Sequence, residues 1–308
     1  MGSAGAKSRH DNAAIASWCA ARGFDVQILG PVGDGALNHH WLLKEQSKGQ
    51  SLVFRARGEG HWLTRGFEGE ALAMTLARKA GLPVPKVLQA GQEGLLMHFM
   101  SGSADRSAVL EAADDTSGIF ASAVIKVLQN LRQKTQANVE DLSDAPGWLA
   151  SIIRPYCLAE TPWFTKLDSS ARAASIMERA AGFGFDKICL SHGDFRTGNL
   201  LLADNGLQAV MDWEFAGYRP AEADIGWMLS SPWRYSRPDR EASGLFHRGE
   251  LLDALELSYS KRIKAWEALA LVRWAVIARL QDERQGVPPG TNADEQALLE
   301  EAEALVRA

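Results

Sequence analysis

Cysteine is scarce and unpaired in this 308-residue chain: Cys19, Cys157 and Cys189 stand far apart, with no C-x-x-C among them. That pattern argues against a disulfide framework or a cysteine-based zinc site and predicts three reduced thiols. No uninterrupted apolar run reaches the roughly 18 residues a membrane span needs, so none is expected. A basic excess is missing too: 33 Lys and Arg against 38 Asp and Glu leave a net charge of −5. A general nucleic-acid binder would show the opposite field, whereas mild acidity is compatible with a cationic small substrate without demanding one. The opening residues MGSAGAKSRHDN lack the apolar stretch of a signal peptide, and Ala6 stands where N-myristoylation needs Ser or Thr. The phosphate-loop ending G-K-[S/T] is also absent. The expectation is a cytoplasmic protein that binds neither nucleic acid nor membrane, its oligomeric state open.

What is present is ordinary globular material, 46% apolar and 23% charged. It is enough to bury a core without staples and, at about 150 residues per domain, to make roughly two domains. Asn12 to Arg22 reads as a short helix stopped by Gly23. Val26 to Leu29 and Ser51 to Arg57 read as strands flanking the glycine-rich turn Gly30 to Asn38 and the apolar HWLLK. Gly66 to Ala80 is helical and ends at Gly81; Lys86 to Ala90 and Gly94 to Met100 are further strands. Beyond Ser101 the periodicity is mostly helical, at Ile119–Leu131, Gly147–Cys157, Ser169–Ala181, Glu250–Tyr259, Ile263–Asp282 and Ala293–Val306. Short strand signals interrupt it at Ile188–Leu190, Leu200–Leu202 and Gln208–Met211, the last two joined by Asp204-Asn205-Gly206. The pattern predicts an α+β protein with an antiparallel-sheet domain carrying one main helix (residues 1–100) and a mostly helical domain (residues 101–308).

The informative segment is LSHGDFRTGNLLLADNGLQAVMDWEFAGYRPAEADIG, Leu190 to Gly226. Asp194 follows a short strand, Asn199 comes five positions later and Asp212 eighteen after Asp194. A kinase catalytic loop has the same Asp-to-Asn spacing, with a separate metal-ligating aspartate downstream. The chemistry accounts for the residue types. Moving a phosphoryl group needs a carboxylate to orient or deprotonate the acceptor hydroxyl, and hard oxygen ligands to hold Mg²⁺ on the phosphates. A hairpin from Leu200 to Met211 would bring Asn199 and Asp212 together. Arg196 suits either a contact with the transferring phosphate or a structural salt bridge.

SHGDFRTGNLL followed by VMDWEFAG resembles the aminoglycoside phosphotransferase and choline kinase superfamily, small-molecule kinases with a protein-kinase-like two-lobed fold. The resemblance implies Asp194 as the catalytic aspartate, Asn199 and Asp212 as magnesium ligands, His192 as a support behind the loop and Asp224 as its brace. It leaves Glu214 as either a metal-side carboxylate or a surface or structural one. In the first lobe it implies that Gly33 and Gly35 cover the phosphates. Arg55 stands where Lys is frequent and would pair with Glu70, or alternatively Glu68; His98 and Met100 would lie at a hinge meeting adenine. Arg132 replaces a histidine found in many relatives. The cofactors implied are ATP, or GTP, and Mg²⁺, held between the lobes.

The acceptor implied is a small hydroxyl compound, cationic or neutral: an aminoglycoside, choline or ethanolamine, a sugar or a hydroxyacyl thioester. Trp213, Tyr218, Trp227, Trp233, Tyr235, Trp266 and Trp274 can cage an ammonium or form core. Glu222, Glu250, Asp253, Glu256 and Glu267 can meet a polyamine-like sugar or face solvent. A protein kinase is disfavoured because Trp-Glu follows Asp212 and no Ala-Pro-Glu occurs downstream. A non-catalytic nucleotide-binding relative is the distant alternative.

Overall fold

The computed structural model describes residues 12–33, 38–58, 66–137, 145–185, 187–204 and 206–307. The chain divides into two compact units, with the boundary between Gly102 and Ser103.

The first unit runs α1 (Asn12–Ala20), β1 (Val26–Pro31), β2 (Asn38–Glu45), β3 (Ser51–Arg57), α2 (Glu68–Lys79), β4 (Val87–Ala90) and β5 (Leu95–His98). Its strands form one sheet in the order β1-β2-β3-β5-β4, every neighbouring pair antiparallel. Register places Trp41 opposite Phe54 and Leu43 opposite Leu52. These side chains form a buried cluster with Ile15, Trp18 and Cys19 of α1. Helix α2 opens with Glu68 and Glu70 and closes with Arg78 and Lys79, charges that complement its dipole.

The second unit runs α3 (Arg106–Asp114), α4 (Ile119–Lys134), α5 (Ala145–Tyr156), α6 (Pro162–Thr165), α7 (Ser170–Ala181), β6 (Ile188–Ser191), β7 (Leu200–Ala203), β8 (Gly206–Val210), β9 (Gly217–Pro220), α8 (Ala223–Leu229), α9 (Arg248–Ala254), α10 (Lys261–Gln285) and α11 (Glu295–Arg307). Strand β6 pairs with β9 and β7 with β8, both antiparallel. Helix α10 is the axis of this unit. The Ser260 side chain caps its start, Gly286 in a left-handed conformation ends it, and it is buried on most of its circumference. Helix α8 lies against it so closely that a Cβ at Gly226 would sit 2.4 Å from the carbonyl carbon of Trp266 and 2.5 Å from the amide nitrogen of Glu267. Beside that contact the Glu267 carboxyl is buried, accepts a 2.5 Å hydrogen bond from the Tyr259 hydroxyl, and is pushed up to about 7 by desolvation.

Several elements depart from the sequence expectation. Helix α3 carries little apolar signal, with Val109 its one buried residue, and is started by Asp105, whose side chain accepts from the Ala108 amide. Helix α9 stops at Ala254 instead of reaching Tyr259, and Glu256 beyond it adopts a left-handed φ of 54°. Strand β9 and helix α8 are short and owe their conformation to tertiary partners. Among the described residues no helix is long and apolar enough to cross a membrane. All three cysteines are buried and free, and burial raises the Cys19 thiol to about 11 and that of Cys189 to about 12.

Gly226→Ala is expected to destabilise the protein by about 1–3 kcal/mol, because the added methyl meets backbone that cannot rotate away. Urea denaturation measures it, and an unchanged midpoint would show that α8 and α10 can separate freely.

Candidate active site

Strand β6 delivers the chain to a loop whose backbone is held by one carboxylate. Asp224, in the first turn of α8, accepts from the Ser191 hydroxyl (2.9 Å) and the amides of His192 and Gly193 (both 2.8 Å). Gly193 turns there with φ +79°, and a Cβ on it would lie 2.3 Å from the Phe215 carbonyl oxygen, so conformation and space both require glycine. His192 is fully buried. Its Nε2–H donates to the Met211 carbonyl (2.8 Å), and its Nδ1 accepts from the Asp194 amide (3.2 Å). That pair of contacts needs the neutral ring with its proton on Nε2. Burial agrees by pushing the imidazole pKa below 6.5, against the upward pull of Asp224 and Asp194.

The Asp194 carboxylate is 7% exposed and surrounded by donors. Oδ1 accepts from the indole N–H of Trp227 (2.8 Å) and from Arg196 Nε (3.1 Å). Oδ2 accepts from Asn199 Nδ2 (2.8 Å) and, at 3.3 Å, from the same Arg196 Nε. Asn199 Nδ2 also donates to the Asp194 carbonyl (2.8 Å), which fixes the amide's orientation and directs Oδ1 away from Asp194. The Met211 amide donates to the Asn199 carbonyl (2.8 Å), closing the base of the β7–β8 hairpin. Asp212 follows directly, with φ 64° and ψ 62°. A left-handed aspartate costs about 1–2 kcal/mol, strain of the kind found at functional sites. Glu214 is 1% exposed, which removes the surface reading of that carboxylate.

In the first unit Arg55 on β3 and Glu70 on α2 form a buried ion pair at 2.5 Å; Glu68 is exposed. His98 donates its amide to the Lys86 carbonyl and Phe99 donates its own to Ser51, 2.9 and 3.0 Å. Gly33 has φ +70°, whereas Gly35 lies outside the described residues. Arg132 on α4 donates to the Leu255 carbonyl at 3.0 Å, a structural contact.

Two residues at this site were not singled out for it by the sequence. Trp227 stood among candidate acceptor or core aromatics, and Arg273 was inside an apolar helix. Arg273 donates to the Gly193 carbonyl, and its guanidinium lies over the rings of Trp227 (4.4 Å), Phe215 (4.7 Å) and Tyr156 (5.0 Å).

Among the described residues no group of three or more His, Cys, Asp or Glu side chains could hold a metal ion alone. The Asn199 amide oxygen and the Asp212 carboxylate are two hard oxygen donors carried at the two ends of one hairpin. That set fits Mg²⁺, which takes one or two protein ligands and completes its shell with water and phosphate oxygens.

The profile of the phosphotransferase enzyme family (APH) matches residues 28–266. Comparison with curated proteins finds no match. Among solved structures, aminoglycoside phosphotransferase APH(4)-Ia superposes with a TM-score of 0.62 at 17% identity, covering 96% of this chain and 99% of that one. The macrolide 2'-phosphotransferase MphH of Brachybacterium faecium gives 0.55 at 16% identity, covering 95% and 96%. An ethanolamine kinase of Plasmodium vivax gives 0.58 at 14% identity, covering 92% and 81%. These likenesses establish the protein-kinase-like α+β fold.

The lowered His192 pKa has a signed consequence. The unfolded chain takes up this proton before the folded one, so the stability it contributes is present above pH 6.5 and lost as pH falls below it. His192→Gln keeps a donor for Met211, and its melting temperature should fall less steeply than wild type between about pH 6.5 and 5. Parallel curves for the two proteins would contradict a buried neutral imidazole.

Proposed function

The chain belongs to the phosphotransferase enzyme family, and we propose that it moves the γ-phosphoryl group of Mg-ATP to a hydroxyl of a small molecule. The observation that carries this reading is the pairing of Asp194 with Asn199 on a loop immobilised by Asp224, with Asp212 at the other end of the same hairpin.

In this mechanism the Asp194 carboxylate receives the acceptor hydroxyl, orients it and takes its proton as the bond to phosphorus forms. The Arg196 contact yields to the incoming hydroxyl, because its single Nε–H is shared between two oxygens and is the longest of the contacts on that carboxylate. The guanidinium, still resting on the Trp233 ring at 4.6 Å, is then free to meet negative phosphoryl oxygens. Asn199 Oδ1 and Asp212 would hold Mg²⁺, which would supply charge neutralisation on the phosphates. In the first unit Arg55, fixed by Glu70, is suited to orienting phosphate oxygens, and Gly33, with φ +70°, to a close backbone approach. Because the amides of His98 and Phe99 are engaged within the sheet, the adenine edge falls to the backbone of Met100. Positioning and preorganised charge then account for most of the rate.

The aromatic residues of the second unit do not favour an ammonium cage. Arg196 already occupies the Trp233 face, Arg106 that of Tyr235, and Arg248 and Lys264 that of Tyr259. Glu267 is likewise engaged by Tyr259 rather than presented to a polycation.

Asp194→Asn should lower ADP release from Mg-ATP by at least about 100-fold while leaving the thermal shift produced by Mg-ATP in place. The assay runs over aminoglycosides, choline and ethanolamine, neutral sugars and hydroxyacyl-CoA esters. Release that survives the substitution would remove Asp194 from the chemistry.

A further inference from the structure

We propose that Trp227 and Arg273 are positioning residues for Asp194, acting as one unit that fixes the carboxylate from the helical side of the site. The proposal rests on the phosphotransferase reading of that site. Asn199 holds Asp194 from within the loop, through Oδ2 and the backbone carbonyl. Trp227 and Arg273 hold the opposite side: the indole donates to Oδ1, and the guanidinium donates to the carbonyl of Gly193, one residue ahead. The two are themselves joined, because the guanidinium lies over the Trp227 ring, 4.4 Å from its centroid.

The chemistry of Arg273 is what points to function. It is 2% exposed and is flanked along α10 by buried Leu269, Leu271, Val272, Ala275 and Val276, where an apolar side chain would pack at no desolvation cost. Its charge is met by a carbonyl dipole and by three ring faces, an arrangement that supports a cation without neutralising it. The fold places it deliberately. Trp266 and Arg273 are seven residues apart on α10 and so share one face. The close approach of Gly226 to Trp266 brings the next residue of α8, Trp227, onto that face.

Three variants test the unit. Trp227→Phe keeps an aromatic ring for Arg273 and deletes the N–H together with the outer part of the indole. Arg273→Lys keeps a charged donor without the planar guanidinium, and Arg273→Met removes both. ADP release from Mg-ATP is measured with whichever acceptor of the panel gives fastest turnover, and with water where none does. Trp227→Phe should lower kcat roughly 10- to 100-fold, the scale of a misplaced catalytic group, with KM for Mg-ATP within about twofold of wild type. Arg273→Met should do the same, and Arg273→Lys should recover part of the loss. Wild-type kcat in Trp227→Phe, or a fall in kcat matched by changes in KM and melting temperature, would overturn the proposal. The indole ¹⁵N–¹H resonance missing from Trp227→Phe identifies Trp227. It should move upfield in Asp194→Ala and in Arg273→Met, and a resonance indifferent to both overturns the bond itself. A wild type with no Mg-ATP turnover would instead defeat the phosphotransferase reading, and the positioning role with it, even where the resonance shows the bond to exist.

Discussion

The loop of the candidate active site hangs from the carboxylate of Asp224. Three consecutive residues, Ser191, His192 and Gly193, donate to its two oxygens, and all of these groups are buried. Hydrogen bonds to a charged group contribute about 1.5–3 kcal/mol each, and leaving such donors unmade in the interior costs more than making them gains. The end of β6 therefore has one backbone path open to it. That path makes Gly193 turn left-handed against Phe215, sets the His192 ring under the Met211 carbonyl, and presents Asp194 to Asn199.

Buried polar groups in each unit are hard to explain as devices for stability. Buried ion pairs commonly do no better than well-packed apolar residues of the same size. Yet Arg55 with Glu70, Asp194 with Arg196 and Asn199, and the ring-boxed Arg273 are all retained in or near the interior. Their common property is orientation: each fixes a charge or a donor in one direction before any ligand arrives. The strained Asp212 belongs with them, held left-handed at the end of β8 beside the pinned Asn199–Met211 backbone contact.

Much of this was legible in the sequence because it is written locally. The five-residue step from Asp194 to Asn199 and the hairpin between Asn199 and Asp212 are short-range patterns, and the resemblance to small-molecule kinases carried by that segment pointed to Arg55 and Glu70. The α+β class followed from the same periodicities. What escaped depends on distance. Trp227 meets Asp194 across 33 positions and Arg273 meets Gly193 across 80, and in the sequence both look like ordinary members of apolar helices. Strand β9 and helix α8, four and seven residues long, carry too little pattern to stand out and take shape only against β6 and α10. The acceptor escaped for a related reason: candidate aromatics such as Trp233 and Tyr235 carry arginine side chains over their rings, and Glu267 is taken by Tyr259.

The loop after β6 is rigid before any ligand binds, because Asp224 has already claimed the amides of His192 and Gly193. Native-state hydrogen exchange at those two amides in the ligand-free protein tests that rigidity most directly. Both amides are expected to exchange only through global unfolding, with the same denaturant dependence as the core of α10. Rapid exchange through local opening, slowed only when Mg-ATP is added, would mean that the ligand and not Asp224 builds the site.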